Sequence, residues 1–168
     1  MTTRFKPSAT VAAIIAHEGR FLLVEEHTPE GLRLNNPAGH LDEGESLVAA
    51  CIRETLEETM YAFEPTHLVG VYMSRFQRPA QAGVVAQDVT YLRFAFCGHL
   101  GALVPERTLD TGILRTLWLS HDEIQASAKS HRSPMVLRCI QDYLNGQRYP
   151  LTMIHTDPSI SDLHGVRP

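Results

Sequence analysis

The sequence has few of the residues that mark disulfide-bonded or zinc-binding proteins. It contains three cysteines in 168 residues, Cys51, Cys97 and Cys139, and they are widely spaced and form no C-x-x-C pair. We expect reduced, partly buried thiols, which favours a cytoplasmic protein. The nine histidines include no H-E-x-x-H pattern, so the sequence indicates no zinc site.

Long apolar runs and a strong charge of either sign are also missing. No segment is apolar over the length needed to cross a bilayer, and the N-terminal MTTRFKPS lacks the apolar region of a signal peptide. We therefore expect no membrane partner. The formal net charge is −4, which gives no electrostatic basis for binding nucleic acid.

What is present is the ordinary composition of a globular enzyme. The chain is 43% hydrophobic and 20% charged, which is typical of a domain with a sizeable core. We expect a single domain over residues 1–150, followed by a C-terminal tail over 151–168. The weak periodicity of that tail is typical of poorly ordered chain ends.

Strands and helices are predicted to alternate, without repeats or low-complexity linkers. Apolar runs at 9–16 and 20–25 predict two strands joined by a hairpin at His17-Glu18-Gly19. Ser46 is a suitable N-cap for a helix that should run to about Thr59. Further strands are predicted over 32–36, 66–76, 89–100 and 115–119, and helices over 121–128 and 133–145.

The predicted helix after Ser46 carries an unusual group of acidic residues. Glu54, Glu57 and Glu58 are spaced i, i+3 and i+4, which places their carboxylates on one face. A bare E-x-x-E-E is more often a solvated helix face. Three hard oxygen donors on one face also suit Mg²⁺ or Mn²⁺, and Mg²⁺ leaves coordination positions for substrate phosphates.

The surrounding residues favour the metal interpretation. Gly39, Glu45 and Arg53 precede the carboxylates at fixed intervals within GHLDEGESLVAACIRETLEETMY. The pattern resembles the Nudix signature, G-x5-E-x7-R-E-U-x-E-E-x-G-U, in which U is apolar. Two positions depart from it. Thr55 replaces an apolar residue, and Met60 replaces the glycine that normally lets the helix end in a left-handed turn, so we expect the helix to end in another way.

The resemblance implies a fold and a set of roles. It implies an α/β/α sandwich with a mixed β-sheet, and a hydrolase that uses Mg²⁺ or Mn²⁺ and a small phosphorylated metabolite or nucleotide. Glu54, Glu57 and Glu58 match the metal ligands of the family, and the carbonyl of Gly39 matches a further ligand. Glu45 and Arg53 match a structural pair, and a contact between them would tie the loop before the helix to the helix itself.

The general base is less well defined by the sequence. Many members of the family carry an extra carboxylate on a loop before a strand that contains tryptophan. The usual position, six residues before Trp118, is Gly112 here. Asp110 and Glu106 are the candidates on that loop, although an Asp before a turn is often only loop-forming. Otherwise Glu57 or Glu58 would act as the base from within the metal site.

The resemblance covers more than the signature, and this narrows it to one bacterial phosphatase group of the family. The segments that carry it are FKPSATVAAIIAHEGRFLLVEE, NNPAGHLDEGE, RSPMV and GQRYPLTMI, which extend from about Arg4 to about Ile154. The resemblance implies release of phosphate from nucleoside di- and triphosphates and from thiamine-related pyrimidine diphosphates. Residues that would contact phosphate or stack on a ring are less clear, and the candidates are Arg33, Arg75, Arg78, Arg93, Tyr72 and Phe76.

Three other interpretations stay open at this point. The first is a Nudix pyrophosphatase that acts on ADP-ribose or dinucleoside polyphosphates. The second is a non-catalytic module that binds a nucleotide, which would have eroded carboxylates. The third is an isomerase on a similar domain, which would need a catalytic cysteine, and Cys97 is the candidate. The sequence is compatible with a monomer or a homodimer.

Overall fold

The architecture is built around a mixed sheet in which β1 runs parallel to one neighbour and antiparallel to the other. The computed structural model describes residues 4–80 and 85–161. The sheet has the strand order β5-β1-β7-β6-β9, and β1 pairs parallel with β7 and antiparallel with β5. The strands are β1 (Ser8–Ile14), β5 (Ala38–His40), β6 (Tyr61–Arg78), β7 (Gln87–Leu103) and β9 (Tyr149–Pro150).

A second sheet lies beside the first and is entirely antiparallel. Its central strand is β3 (Arg20–Thr28), which pairs with β2 (Ala16–His17), β4 (Gly31–Asn35) and β8 (Ile113–Ser120). The predicted hairpin is present between β2 and β3. Glu18 and Gly19 both have positive φ, 47° and 75°, which is the backbone that suits a two-residue hairpin turn.

Alternation along the strands creates two hydrophobic cores, one on each face of the mixed sheet. Val11, Ala13 and Ile15 belong to a core that includes residues of α1 (Leu47–Thr59). Ala12 and Ile14 belong to the opposite core, which includes residues of α2 (His121–Ala126) and α3 (Met135–Leu144). This arrangement follows from the two-residue period of a strand. The predicted α/β sandwich with a mixed sheet is confirmed.

Both ends of α1 have identifiable caps. Ser46 accepts a hydrogen bond from the N–H of Ala49 at 3.0 Å, so the predicted N-cap is confirmed. Met60 has φ 62° and donates its N–H to the carbonyl of Leu56 at 2.9 Å. The expectation that this helix would end without a left-handed residue is therefore wrong. Met60 adopts the conformation usually taken by glycine, which costs an L-residue about 1–2 kcal/mol.

The chain continues in ordered contact beyond residue 150. Strand β9 pairs with β6 through Leu68 and Tyr149, and Leu151 and Ile154 pack against the core next to α1. The part of the expected tail over 162–168 lies outside the described residues. Within the part of the chain that the structure describes, no helix is long and apolar enough to cross a membrane.

Candidate active site

Arg53 is the centre of a dense hydrogen-bond network on α1. Its Nε and Nη2 donate to the two carboxylate oxygens of Glu45 at 3.0 and 2.7 Å, and Nη2 also reaches the carbonyl of His40 at 3.0 Å. Its Nη1 donates to Glu54 at 2.8 Å and to Glu57 at 3.0 Å. One guanidinium thus fixes the loop before the helix and orients two of its carboxylates.

Glu45 closes the loop that leads into α1. Besides pairing with Arg53, its carboxylate accepts the N–H of Asp42 at 2.8 Å. The hydrogen bonds from Arg53 hold the pKa of Glu45 below its ordinary value, against the effect of burial. The contact expected between this signature pair therefore exists, and it joins residues 40–45 to the helix.

Glu54 lies against the backbone of Gly39 on strand β5. A Cβ added at Gly39 would overlap the Glu54 carboxylate, so any larger residue would displace it. The Glu54 side chain is only 14% exposed. Burial raises its pKa, and the hydrogen bond from Arg53 opposes that shift. The glycine of the signature is thus required by the close approach of a carboxylate.

Glu58 is the most deeply buried of the three carboxylates. The residue is 9% exposed, and its Oε2 accepts the N–H of Ala38 at 2.8 Å. Burial raises the pKa of Glu58 to about 8, against the lowering effect of that backbone hydrogen bond. Negative charges on Glu26, Glu54 and Asp110 raise it further. A buried, repelled carboxylate of this kind gains most from a nearby cation.

These residues lie along a cleft of about 640 Å³ between the two sheets. Glu54 and Glu58 line it, whereas the carboxylate of Glu57 is turned to Arg53. The same cleft is lined by positively charged side chains from several elements, namely Arg75, Arg78, Arg93 and Arg132. A space lined by both carboxylates and arginines suits an anionic ligand that brings a cation.

The donor set fits a divalent cation, although the side chains are oriented by protein donors. Among residues 4–80 and 85–161, no three His, Cys, Asp or Glu side chains form a group arranged to hold a metal ion. Instead, Glu54 and Glu57 accept hydrogen bonds from Arg53, and Glu58 accepts one from the Ala38 N–H. Three carboxylates beside a backbone without a side chain at Gly39 are nevertheless the hard oxygen ligands that Mg²⁺ and Mn²⁺ prefer. The ligand roles of these four residues stay predictions.

Comparison with known proteins decides the family. The NUDIX domain family model matches residues 4–139. Phosphatase NudJ of Escherichia coli strain K12 is 40% identical over 151 residues, which cover 89% of this chain and 92% of NudJ. The chain belongs to the Nudix family. It is a hydrolase.

Solved structures agree with this assignment. A NUDIX hydrolase from Nitrosomonas europaea is 47% identical, with a TM-score of 0.80, over 90% of this chain and 98% of that one. A MutT NUDIX hydrolase from Burkholderia pseudomallei is 19% identical, with a TM-score of 0.60, over 82% of this chain and 98% of that one. The second likeness shows the fold alone.

Asp110 lines the cleft of this Nudix hydrolase, and Glu106 does not. Asp110 lines the cleft together with Glu58, and its N–H donates to the carbonyl of Glu57 at 2.9 Å. Its Oδ1 accepts the N–H of Thr111 at 2.8 Å, which is the turn-forming bond expected of a loop Asp. Asp110 is thus both a turn residue and a cleft residue.

The arginines and aromatics proposed for substrate contact separate into two groups. Arg75, Arg78, Arg93 and Phe76 line the cleft of the Nudix hydrolase, and Arg33 does not. Tyr72 also lies elsewhere, because it packs in the core beside α3 and its hydroxyl donates to Asp142 at 3.1 Å. Arg75 makes two hydrogen bonds to Asp88, at 2.7 and 2.5 Å, and Arg78 donates to Glu30 at 2.8 Å.

Several cleft residues of the Nudix hydrolase were missed by sequence reasoning. Glu26, which is 19% exposed at its side chain, lies near Glu58 and raises the pKa of that residue. Thr10 and Asn35 also line the cleft. So does Arg132, which belongs to the segment RSPMV and was given no role from the sequence. Among the missed residues, Glu26 has a local signal, a charged residue at the end of the apolar run RFLLVEE, whereas Thr10 and Asn35 are ordinary strand residues that only the tertiary fold brings together.

Proposed function

We propose that this Nudix hydrolase is a Mg²⁺- or Mn²⁺-dependent phosphatase that releases the terminal phosphate of nucleoside di- and triphosphates and of thiamine-related pyrimidine diphosphates. The observation that carries the proposal is the cleft itself, which is lined by Gly39, Glu54 and Glu58 together with four arginines. Similarity to Phosphatase NudJ over 89% of the chain supports a terminal phosphatase within the family.

The acidic residues would supply the electrostatic part of the reaction. A divalent cation held by Glu54, Glu57, Glu58 and the Gly39 carbonyl would neutralise phosphate oxygens and lower the pKa of a bound water. Arg53 keeps two of these carboxylates on one side of the helix through its bonds at 2.8 and 3.0 Å. The ligands are therefore already ordered, which lowers the cost of positioning the substrate.

The arginines would hold the phosphates. Arg78 and Arg132 each approach one oxygen of the Glu30 carboxylate, at 2.8 and 3.8 Å, and both line the cleft. Neighbouring arginines that share one carboxylate leave N–H groups for the oxygens of a diphosphate. We propose that they bind the phosphate chain in the orientation that presents its terminal phosphorus to water.

Asp110 would accept the proton of the attacking water. The oxygen of water then forms a bond to the terminal phosphorus, the bridging P–O bond breaks, and orthophosphate is released. The bond between the Asp110 N–H and the Glu57 carbonyl would keep this carboxylate beside the carboxylates of α1. If Asp110 does not act as the base, Glu57 or Glu58 takes that role.

Two other features of the protein bear on the alternatives. All of the signature carboxylates are present, which argues against a non-catalytic module. Cys97 is 3% exposed within the core beside α3 and does not line the cleft, which argues against an isomerase that uses it. Cys51, Cys97 and Cys139 are free and buried, which supports the proposal of a reducing, cytoplasmic location.

The test is a substrate panel with identification of products. Purified enzyme with Mg²⁺ is incubated with GDP, GTP, ADP-ribose, a diadenosine polyphosphate and the pyrimidine diphosphate. We expect orthophosphate from GDP, GTP and the pyrimidine diphosphate, because terminal attack releases it. Much faster cleavage of ADP-ribose or the dinucleotide, with nucleotide products, would refute the phosphatase proposal and leave the family assignment intact.

A further inference from the structure

Strand β6 has an outer edge that is paired over only a short part of its length. Its inner edge pairs with β7, and its outer edge pairs with β9 at His67 and Leu68. Beyond the irregularity between Leu68 and Gly70, no strand among residues 4–80 and 85–161 pairs with the outer edge over 70–78. We call this segment, which is about 30 Å long, the open edge. Its outward backbone N–H and C=O groups are available to another strand.

The open edge has few of the features that normally prevent one strand from pairing with another. Its sequence is GVYMSRFQR, which contains no proline and no lysine, the residues that most often protect an edge. Its two charged residues already have acidic partners in the same chain. Arg75 donates to Asp88 at 2.7 and 2.5 Å, and Arg78 donates to Glu30 at 2.8 Å. The charge of the open edge is therefore largely neutralised.

Apolar side chains lie beside the open edge and are left in solvent. Val71 and Met73 are 51% and 64% exposed. Their register partners on β7 are Phe94 and Leu92, and Phe94 packs against the core next to α1. Opposite residues share a face of the sheet, so Val71 and Met73 belong to the face that carries α1. Covering this part of the face would remove apolar surface from water, which favours association.

We propose that the open edge pairs antiparallel with the open edge of a second copy of the chain, about a two-fold axis at Ser74. The two mixed sheets then join into one continuous sheet, and the same residues contribute from both copies, as in an isologous dimer. The facing pairs are Ser74 with Ser74, Met73 with Arg75, Tyr72 with Phe76, Val71 with Gln77, and Gly70 with Arg78. Each pair other than the first occurs twice in the dimer.

Charge and available length select Ser74 as the centre. Opposite residues must share a face, so the axis passes through a residue position. An axis at Arg75 would oppose the two Arg75 side chains, and like charges directly opposite are destabilising. An axis at Met73 would bring Arg78 against Leu68, where the edge is already occupied by β9. Ser74 is the middle of the open edge, and an axis there uses its whole length and opposes no like charges.

The chain is thus complementary to itself along the open edge, which is why we assign a second copy as the partner. The facing pair of Tyr72 and Phe76 adds an aromatic contact between strands. Ser74, Phe76 and Arg78 also line the cleft, so the interface lies next to the cleft of each copy. The inference concerns assembly and does not depend on the proposed phosphatase activity.

The test is sedimentation equilibrium of the full-length protein over a range of concentrations, with two variants of opposite charge. Met73→Lys and Met73→Glu remove the same exposed apolar side chain. Lysine places a positive charge opposite the partner's Arg75, twice in each dimer, whereas glutamate places a negative charge there. Leu114→Lys is the matched control, because Leu114 is 47% exposed on β8 in the other sheet. Circular dichroism checks that every variant is folded.

We expect the wild-type protein to form a species of about twice the 18.8 kDa of one chain. The Kd of the dimer should be about 10-fold or more higher for Met73→Lys than for Met73→Glu, since two facing charge pairs change sign. Leu114→Lys should dimerise like the wild type. A wild-type protein that stays monomeric at every concentration would overturn the inference and leave the open edge to solvent or to another protein. Equal dimer affinity of the lysine and glutamate variants would overturn it as well.

Discussion

The carboxylates of α1 differ from the strand residues Thr10, Asn35 and Arg93, which line the cleft with Glu54 and Glu58, in how their polar groups are satisfied. Each of Glu54, Glu57 and Glu58 already accepts a hydrogen bond from Arg53 or from the Ala38 N–H. Thr10 Oγ1, Asn35 Oδ1 and Arg93 Nη1 are buried without such partners among residues 4–80 and 85–161. The carboxylates of α1 are thus held in place by donors of the protein itself, and their substitution should have the largest effect on the rate of the reaction.

The largest loss of activity is expected from substitution of the α1 carboxylates. Glu57→Gln and Glu58→Gln keep the size of the side chain and remove its charge, so kcat should fall on the order of 10²-fold or more. Glu64→Gln, at an exposed position of β6, is the matched control and should keep full activity. Full kcat in both variants would contradict a role of these carboxylates in the reaction.

The next largest loss of kcat is expected from the loop that carries Asp110. Asp110→Asn should lower kcat about 10²-fold, within the usual range for loss of a general base. Glu106→Gln is the control on the same loop, because Glu106 does not line the cleft, and it should have little effect. Steady-state kinetics on the two variants decide the matter. A retained kcat in Asp110→Asn would assign the base to Glu57 or Glu58.

A smaller effect is expected where the network supports the fold rather than the reaction. Glu45→Gln removes a charged partner of Arg53, and the free energy of unfolding should fall by about 1–3 kcal/mol. Asp88→Asn removes the partner of the exposed Arg75, and its effect on the free energy of unfolding should be much smaller, since solvent screens an exposed ion pair. Denaturant unfolding measures both. A large loss of kcat in folded, metal-loaded Glu45→Gln would contradict the structural assignment.

The pair of Glu45 and Arg53 also predicts how the stability of the protein depends on pH. Arg53 holds the pKa of Glu45 below its ordinary value, so the stabilisation is fully present above that ordinary value. It is lost as the pH falls through the lowered pKa. The wild-type protein should therefore lose stability in acid more steeply than Glu45→Gln. Equal acid sensitivity of the two proteins would show that the pair contributes little.

The smallest effect is a change in stability at Met60, which ends α1 and does not line the cleft. Met60 has φ 62°, so Met60→Gly should be more stable than Met60→Ala by about 1 kcal/mol, the reverse of their order inside a helix. Comparing these two variants cancels the loss of the methionine side chain. If alanine proves the more stable residue, Met60 does not cap the helix in the left-handed conformation.

Local features of this fold could be predicted from the sequence because their determinants are local. Ser46 caps α1 through a bond to the backbone three residues ahead, and the His17–Gly19 hairpin is fixed by the turn itself. The spacing of Glu54, Glu57 and Glu58 likewise placed them together on the helix. Strand β6 was predicted over 66–76, yet it runs from Tyr61 to Arg78, because pairing with β7 extends it.

Long-range features could not be predicted in the same way. The cleft combines Thr10, Asn35 and Arg93 from three strands of two sheets, and no spacing in the sequence connects them. The bond between the Asp110 N–H and the Glu57 carbonyl depends on how the loop before β8 folds over the helix. Met60 was misjudged because a local rule was followed at a position where the surrounding structure, including the bond from Val104 N to its carbonyl, enforces the rarer backbone.

The most direct test of the central claim is binding of Mn²⁺ measured by electron paramagnetic resonance in the absence of substrate. The claim predicts saturable Mn²⁺ uptake by the wild-type protein and by Glu64→Gln. In Glu57→Gln and Glu58→Gln the Kd should rise about 10-fold or more, since each variant loses a charged oxygen ligand. Unchanged Mn²⁺ affinity in both variants, together with phosphate release that persists in excess chelator, would contradict the claim that α1 holds the catalytic cation.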